Sequence, residues 1–133
     1  MNEDKLIEGI LAQAAKDWIY SAAVLQAEPP EDEAYADALR MKIETERFFR
    51  SKWYKQLTTV DGSIILAQAK KLVKLNDCPA CGKPPKLHTR LAGIKKGSGK
   101  PKIRYYAICT VCGRKAEEKR LAYDAIEVWN ERS

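Results

Sequence analysis

Apolar residues recur at intervals of three or four along the first 27 residues, as they do on one face of an α-helix. No proline interrupts this stretch, whose apolar positions are Ile7, Leu11, Ala14, Trp18, Ala22 and Leu25. The spacing predicts an amphipathic helix over residues 5–27. Pro29 and Pro30 are expected to end it, because a proline has no backbone N–H and displaces the residue before it from the helical region.

A second helical pattern begins at the acidic residues Glu31, Asp32 and Glu33, which suit the positive N-terminal end of a helix. It is predicted to be the longest element and to run through the apolar positions Tyr35, Leu39, Ile43, Phe48, Phe49, Trp53 and Tyr54. The four aromatic residues at its end are typical of a helical-bundle core. They cannot all point the same way on one helix, so one or two are expected to be exposed anchors for a partner.

Asp61-Gly62 predicts a turn after these aromatic residues, and Ser63 is placed to cap a third helix from Ile64 to about Lys74. Three helices joined by short turns predict a helical hairpin or an antiparallel three-helix module over residues 1–75. No long Gly/Ser linker follows this module. We therefore expect it to pack against the remainder of the chain.

The pattern then changes to the period of two that is typical of a half-buried strand. Residues 86–91 and 103–109 predict two antiparallel strands, and the glycine-rich residues 93–102 predict a flexible basic hairpin tip between them. A closing helix is predicted over residues 121–132, with a face that can cover the small sheet: Leu121 or Ala122, Ala125, Ile126 and Trp129. The expected fold class is α+β, with a helical module over residues 1–75 and a small β ribbon with its closing helix over residues 76–133.

The four cysteines of the chain stand in two matched pairs, Cys78-Pro-Ala-Cys81-Gly and Cys109-Thr-Val-Cys112-Gly. Two turns that each present two thiolates can complete a tetrahedral four-cysteine shell, which predicts one Zn²⁺ ion. Because such a shell has no open position, the zinc is expected to be structural. The alternative is dithiol redox chemistry, which the lack of a βαβ pattern disfavours. His88, the single histidine, is expected to be a surface or packed residue rather than a ligand.

The formal net charge of +6 is unevenly distributed along the chain. Residues 1–76 carry 11 Lys/Arg against 12 Asp/Glu, whereas residues 77–133 carry 13 against 6. No acidic side chain lies between residues 82 and 116. The partners of the cysteine-bearing half are therefore expected to be anionic.

The hairpin supplies the residues for such a partner, and two interpretations of it stay open. In the first, the hairpin follows a phosphate backbone and an aromatic ring stacks on a base, through Lys95, Lys96, Lys100, Lys102, Arg104 and Tyr105. In the second, the lysines form a solvated loop and the tyrosines pack the ribbon. Nothing in the pattern identifies a base, so any binding to nucleic acid is expected to be weakly sequence-specific and strongly salt-dependent.

Residues 76–133 resemble a known family, the Lar-type restriction-alleviation zinc-ribbon proteins of phages and prophages. The resemblance rests on Cys-Pro-x-Cys-Gly, on Tyr105-Tyr106-Ala107-Ile108-Cys109-x-x-Cys112-Gly113 and on the tail Ala125-Ile126-x-x-Trp129-Asn130-x-Arg132. It implies a zinc ribbon that tempers host restriction by acting on the restriction–modification system. The segment Glu46–Gly62 is similar to one in small uncharacterised phage proteins of Gram-positive bacteria, which implies a phage origin and no activity.

Catalysis is not expected. The sequence has no P-loop, no G-x-S-x-G and no H-E-x-x-H, and a single histidine excludes most acid–base constellations. No apolar run approaches the roughly 18 residues that span a bilayer, so we expect a cytoplasmic protein with no membrane partner and no small-molecule substrate. The leading hypothesis is a phage-derived zinc-binding accessory protein that binds a host defence protein or its DNA. The alternatives are a general nucleic-acid-binding zinc ribbon in phage transcription or replication, and an adaptor that forms a homodimer through its helical half.

Overall fold

The computed structural model describes residues 3–28 and 32–131. Its helices are α1 (Glu3–Leu25), α2 (Asp32–Phe49), α3 (Lys52–Leu57), α4 (Gly62–Leu72) and α5 (Ala122–Glu131). Its strands are β1 (Ala27–Glu28), β2 (Lys86–Ile94) and β3 (Pro101–Ile108). The predicted α+β class is confirmed. Pro29, Pro30 and Glu31, where the break between the first two helices was predicted, lie outside the described residues.

The predicted second helix is two helices. α2 ends at Phe49, and Ser51 begins α3 by accepting a hydrogen bond from the Tyr54 backbone N–H at 3.1 Å. A serine side chain that satisfies an N-terminal amide favours a new helix over the continuation of the old one. The prediction that this helix is the longest element is therefore wrong, because α2 has 18 residues and α1 has 23.

The buried face of α2 is made of small residues and one aromatic ring. Ala38, Thr45 and Phe49 are buried, whereas Tyr35, Leu39 and Ile43 are 36–43% exposed. The Thr45 hydroxyl donates to the Met41 carbonyl at 2.9 Å, so its burial leaves no unsatisfied polar group. Small side chains at this face allow α2 to approach α1 closely, and larger apolar residues remain on its outer flank.

The start of α4 differs from the prediction by two residues. Asp61, not Ser63, is the N-cap, and its carboxylate accepts from the Ser63 N–H at 2.9 Å. Gly62 is the first helical residue and is buried against α2. A Cβ at this position would overlap the Phe49 carbonyl oxygen, so only glycine allows this contact.

The sheet has three strands in the order β1-β2-β3. β2 and β3 are antiparallel, and the short β1 pairs with β2 in parallel through Ala27 and Leu87. Residues 115–119 pair irregularly with the other side of β3. Both long strands reach further towards the hairpin tip than predicted, so the tip is short. It is closed by the Lys95 N–H, which donates to the Lys100 carbonyl at 2.7 Å. Both edges of the β2–β3 hairpin are therefore covered over part of their length.

α5 joins the two halves of the molecule. Its predicted apolar face is buried through Ala122, Ala125, Ile126 and Trp129, whereas Leu121 is 47% exposed and precedes the helix. This helix contacts α1, β2 and β3. One cluster of buried side chains consequently extends from α1 through α5 to the sheet and crosses the boundary expected at residues 75–76.

The segment between the two halves is held by hydrogen bonds from both sides. The Gln26 side chain donates to the Val73 carbonyl at 2.7 Å. The Trp129 indole N–H donates to the Asn76 carbonyl at 2.9 Å, and the Asn130 side chain accepts from the Asn76 N–H at 2.8 Å. The Trp-Asn pair of the tail therefore positions the backbone two residues before the first cysteine.

Candidate metal centre and basic groove

The two cysteine turns have the same backbone conformation. The Gly82 N–H donates to the Cys78 carbonyl and the Gly113 N–H to the Cys109 carbonyl, both at 2.8 Å. The glycines have φ angles of 74° and 82°, in the left-handed region where a Cβ would be strained. The glycine after each pair thus allows a tight turn that directs two sulfurs the same way, one turn before β2 and the other after β3.

The four predicted ligands come together. All four Sγ atoms of Cys78, Cys81, Cys109 and Cys112 lie within 4.8 Å of one another. The Cys81–Cys109 and Cys78–Cys112 sulfurs are 3.3 Å and 3.6 Å apart. A tetrahedral ion with metal–sulfur bonds of about 2.3 Å would place its sulfurs about 3.8 Å apart, so the cluster has the dimensions of a metal-binding shell.

Backbone amides also point at the sulfurs. The Cys112 N–H donates to the Cys109 sulfur and lowers the pKa of that thiol to about 6. Burial opposes ionisation of Cys78, but amides from Ala80 and Cys81 outweigh it and lower its pKa. The equivalent amides of the two turns thus act on the first cysteine of each pair.

The pKa of the second cysteine in each pair is shifted in the opposite direction. The Lys83 N–H donates to the Cys81 sulfur, but Cys109 and burial outweigh this bond and raise the pKa of Cys81 to about 12. The pKa of Cys112 is also raised, because the neighbouring Cys78 and Cys109 sulfurs outweigh the amide of Arg114. Four thiolates this close repel one another, and a divalent cation is the species that removes the repulsion.

Among the side chains that the structure describes, in residues 7–27 and 34–131, there is one cluster of metal-ligating groups, and it consists of the four cysteines. His88 is not part of it. Its ring is half-buried, 5.9 Å from that of Tyr106, and its Nε2 atom has no hydrogen-bond partner among the described residues. His88 is therefore a packed residue of the ribbon, which was one of the two expected outcomes.

A groove of about 580 Å³ lies between β3, the hairpin tip and the first turns of α2. Among the described side chains, Asp37 is the one acid of the lining, and five cations accompany it: Lys95, Lys100, Lys102, Arg104 and Arg120. Four of these cations were predicted as binding residues, and Lys96 does not line the groove. Arg120 was missed because only the pairing of residues 115–119 with β3 brings it beside the hairpin.

The predicted stacking role of Tyr105 does not fit its position. Side chains alternate along β3, so Tyr105 and Ala107 face the core, and Tyr105 is 7% exposed. The next residue, Tyr106, is covered by the Lys115 ammonium group, 4.2 Å from its ring centroid. Tyr105 is among the residues that line the groove, but it belongs to the cluster of buried core residues.

A salt bridge neutralises one of the arginines near the groove. Arg90 lies opposite Arg104 in the β2–β3 register. Its guanidinium donates twice to the Glu118 carboxylate, at 2.8 Å and 2.9 Å, and lowers the pKa of that carboxyl. The like-charge pair across the strands is thereby compensated on the Arg90 side.

The aromatic segment that resembles phage proteins has a structural role. Phe48, Phe49, Trp53 and Tyr54 form edge-to-face pairs with ring centroids 5.3–5.6 Å apart. Phe49 and Tyr54 are buried, whereas Trp53 is 54% exposed. The segment is therefore mainly core, and one exposed aromatic residue remains, as expected.

In the parts of the chain that the structure describes, no helix combines the length and apolar character needed to cross a membrane. The chain matches no protein-family model, no curated protein and no solved structure. The relationship to Lar-type proteins stays a prediction that rests on the quoted residues.

Proposed function

We propose that this protein is a zinc-stabilised nucleic-acid-binding protein that contacts phosphates through the groove beside its hairpin. The observation that carries the proposal is the lining of that groove, where the described side chains include five cations and one acid. Five positive charges in one concave surface attract a polyanion and release its counterions when it binds.

Zinc is the metal that the four cysteines suit best. A tetrahedral set of four sulfurs selects zinc or iron, and a redox-inert ion fits a shell that has a purely structural role. Neither cysteine pair lies at the start of a helix, where an amide dipole activates redox dithiols. Metal analysis of purified protein by mass spectrometry should give one zinc per chain, and a coloured, iron-containing protein would contradict this assignment.

With four thiolates around it, the zinc would hold no water and no substrate, so we infer that its role is structural and not catalytic. Its contribution would be to fix the base of the hairpin. The first cysteine turn precedes β2 and the second follows β3, whereas Lys102 lies seven residues before Cys109. At about 3.3 Å per residue, Lys102 is roughly 23 Å from Cys109 along the strand.

The groove favours a phosphate backbone over individual bases. Its one aromatic lining residue is Tyr105, whose ring is in the core. Single-strand binding proteins use exposed aromatic rings as stacking platforms. A duplex offers a regular array of phosphates without the need for stacking, so we propose that duplex nucleic acid is the better ligand.

The role in host restriction that the resemblance implies stays a prediction. Sequence-independent contact with DNA would suit an accessory protein at a restriction site as well as a module of phage transcription or replication, both in the host cytoplasm. Co-purification of zinc-loaded protein with a restriction–modification complex, sensitive to nuclease treatment, would favour the first.

The test of the proposed function is a salt titration. Fluorescence anisotropy with a 20-base-pair random duplex and a 20-nucleotide single strand should show tighter binding of the duplex. Duplex binding should weaken steeply between 50 and 200 mM salt, and a plot of log binding constant against log salt concentration should have about one unit of slope for each phosphate contact. The double variant Lys102→Gln/Arg104→Gln should reduce that slope by about two units.

A matched control is the double variant Lys70→Gln/Lys71→Gln, which removes the same charge from exposed positions on α4 outside the groove. It should retain most of the duplex affinity. Absence of binding at 50 mM salt, or equal losses in the two double variants, would overturn the proposal.

A further inference from the structure

We propose that a second groove, between α1 and α2, binds an amphipathic helix of a partner protein whose flanking residues are basic. This groove has a volume of about 690 Å³, and Ile10, Ala14, Met41, Phe48 and Trp53 supply most of its apolar lining. It shares no lining residue with the basic groove. A groove between two packed helices is a common receptor for the apolar face of a third.

Gly9 shows that the space is suited to close approach by another chain. Glycine within a helix is less stable than alanine, so it usually has a structural reason. A Cβ at Gly9 would meet no atom within 4 Å, so no packing contact among the described residues requires a glycine there. Its missing side chain deepens the groove at a point where a partner's backbone or large side chain can lie against α1.

Trp53 supplies a rigid anchor at the end of the groove. Its ring is 54% exposed and makes an edge-to-face contact with Phe48 at 5.4 Å. An exposed tryptophan held by a neighbouring ring costs little conformational entropy when a partner covers it, and tryptophan is enriched among residues that dominate binding energy. The groove is therefore organised before a partner arrives.

The charges decide what kind of helix fits. Among the side chains that the structure describes, the charged residues of the lining are two acids, Asp17 and Glu44. A second copy docked by a two-fold axis would bring these acids towards one another, which is unfavourable. A helix with leucines on one face and lysines beside them would bury the apolar lining and complement both carboxylates.

A synthetic peptide of 16 residues with a leucine face and lysines at its flanks provides the probe, and a peptide with glutamates in place of the lysines is its control. Trp18 and Trp129 are each 2% exposed, so a shift of tryptophan emission to shorter wavelength reports mainly on Trp53. We expect the lysine peptide to bind at micromolar concentration and the glutamate peptide at least tenfold more weakly.

Gly9→Leu adds a large side chain at the groove, at a position where an added Cβ meets no atom within 4 Å, and it should weaken binding of the lysine peptide at least tenfold. Trp53→Ala should do the same in a calorimetric titration. Leu72→Ala truncates an exposed apolar residue outside the groove and should leave binding unchanged. Circular dichroism of each variant verifies that the helices are retained.

The proposal is overturned if the lysine peptide does not bind, if both peptides bind equally, or if Gly9→Leu and Leu72→Ala have equal effects. Light scattering that shows a dimer of the wild-type chain, dissociated by Gly9→Leu, would assign the groove to a second copy instead. The proposal does not rest on nucleic-acid binding, since Lys102→Gln/Arg104→Gln should bind the peptide as wild type does.

Discussion

The helical half and the ribbon half reach stability by different means. Residues 3–75 bury large side chains among their own helices, including Trp18, Phe49 and Tyr54. In the ribbon, the two long strands bury only Leu87, Tyr105 and Ala107, and the rest of the cover comes from α5 and the cysteine cluster. A sheet of this size cannot bury enough apolar surface by itself, so a metal site and a helix replace the missing core.

The two grooves differ in the polarity and the charge of the residues that line them. The groove between α1 and α2 is apolar and has acidic charges, whereas the groove beside the hairpin has five cations. The first suits a helix of another protein and the second suits phosphates. Under the two proposals, one small chain would hold two partners of opposite charge at separate surfaces.

Metal removal should have the largest effect, and it should unfold one half of the molecule while the other half stays folded. Cys109→Ser, or chelation of the wild type, is expected to release the metal and to unfold residues 76–131, because the sulfurs lose the cation that offsets their repulsion. Far-ultraviolet circular dichroism should retain the signal of α1, α2 and α4. Hydrogen exchange resolved by residue is the measurement. Simultaneous loss of protection in both halves would show instead that the shared core makes them one cooperative unit.

Replacement of Trp129 should weaken the contact between the halves without removing the metal ligands. Trp129→Ala deletes a side chain that is 2% exposed together with its hydrogen bond to Asn76. We expect a loss of about 3–5 kcal/mol in the free energy of unfolding, measured by urea denaturation of the zinc-loaded protein. Trp53→Ala, at a 54% exposed site, is the control and should cost about 1 kcal/mol. Equal losses would mean that α5 does not join the halves.

Two glycine substitutions test the packing of the helical half, and they should change the free energy of unfolding in opposite directions. Gly62→Ala forces a Cβ against the Phe49 carbonyl and should reduce the free energy of unfolding by about 1–3 kcal/mol. Gly9→Ala meets open space within α1 and should raise it by about 0.5–1 kcal/mol. Thermal denaturation of both variants provides the comparison. A stabilising Gly62→Ala would contradict the close contact between α4 and α2.

Local chemistry made much of the site predictable. The spacing of the cysteines and the glycine after each pair specify two matched turns, because the constraint lies within six residues. The face of α5 was equally readable, since Ala122, Ala125, Ile126 and Trp129 repeat with the helical period. The break between α2 and α3 was missed because aromatic periodicity passes through the Ser51 cap.

The sequence by itself determined the fold class, the two matched cysteine turns and the basic character of the hairpin, because each depends on neighbours along the chain. The tertiary structure decided which side chains those local elements bury or bring together. In the folded chain Tyr105 is buried in the core, and Arg120 lies beside the hairpin cations. Trp53 is exposed at the edge of a groove whose lining is apolar and acidic. Such outcomes depend on how helices and strands pack across long separations in the chain, which no local pattern specifies.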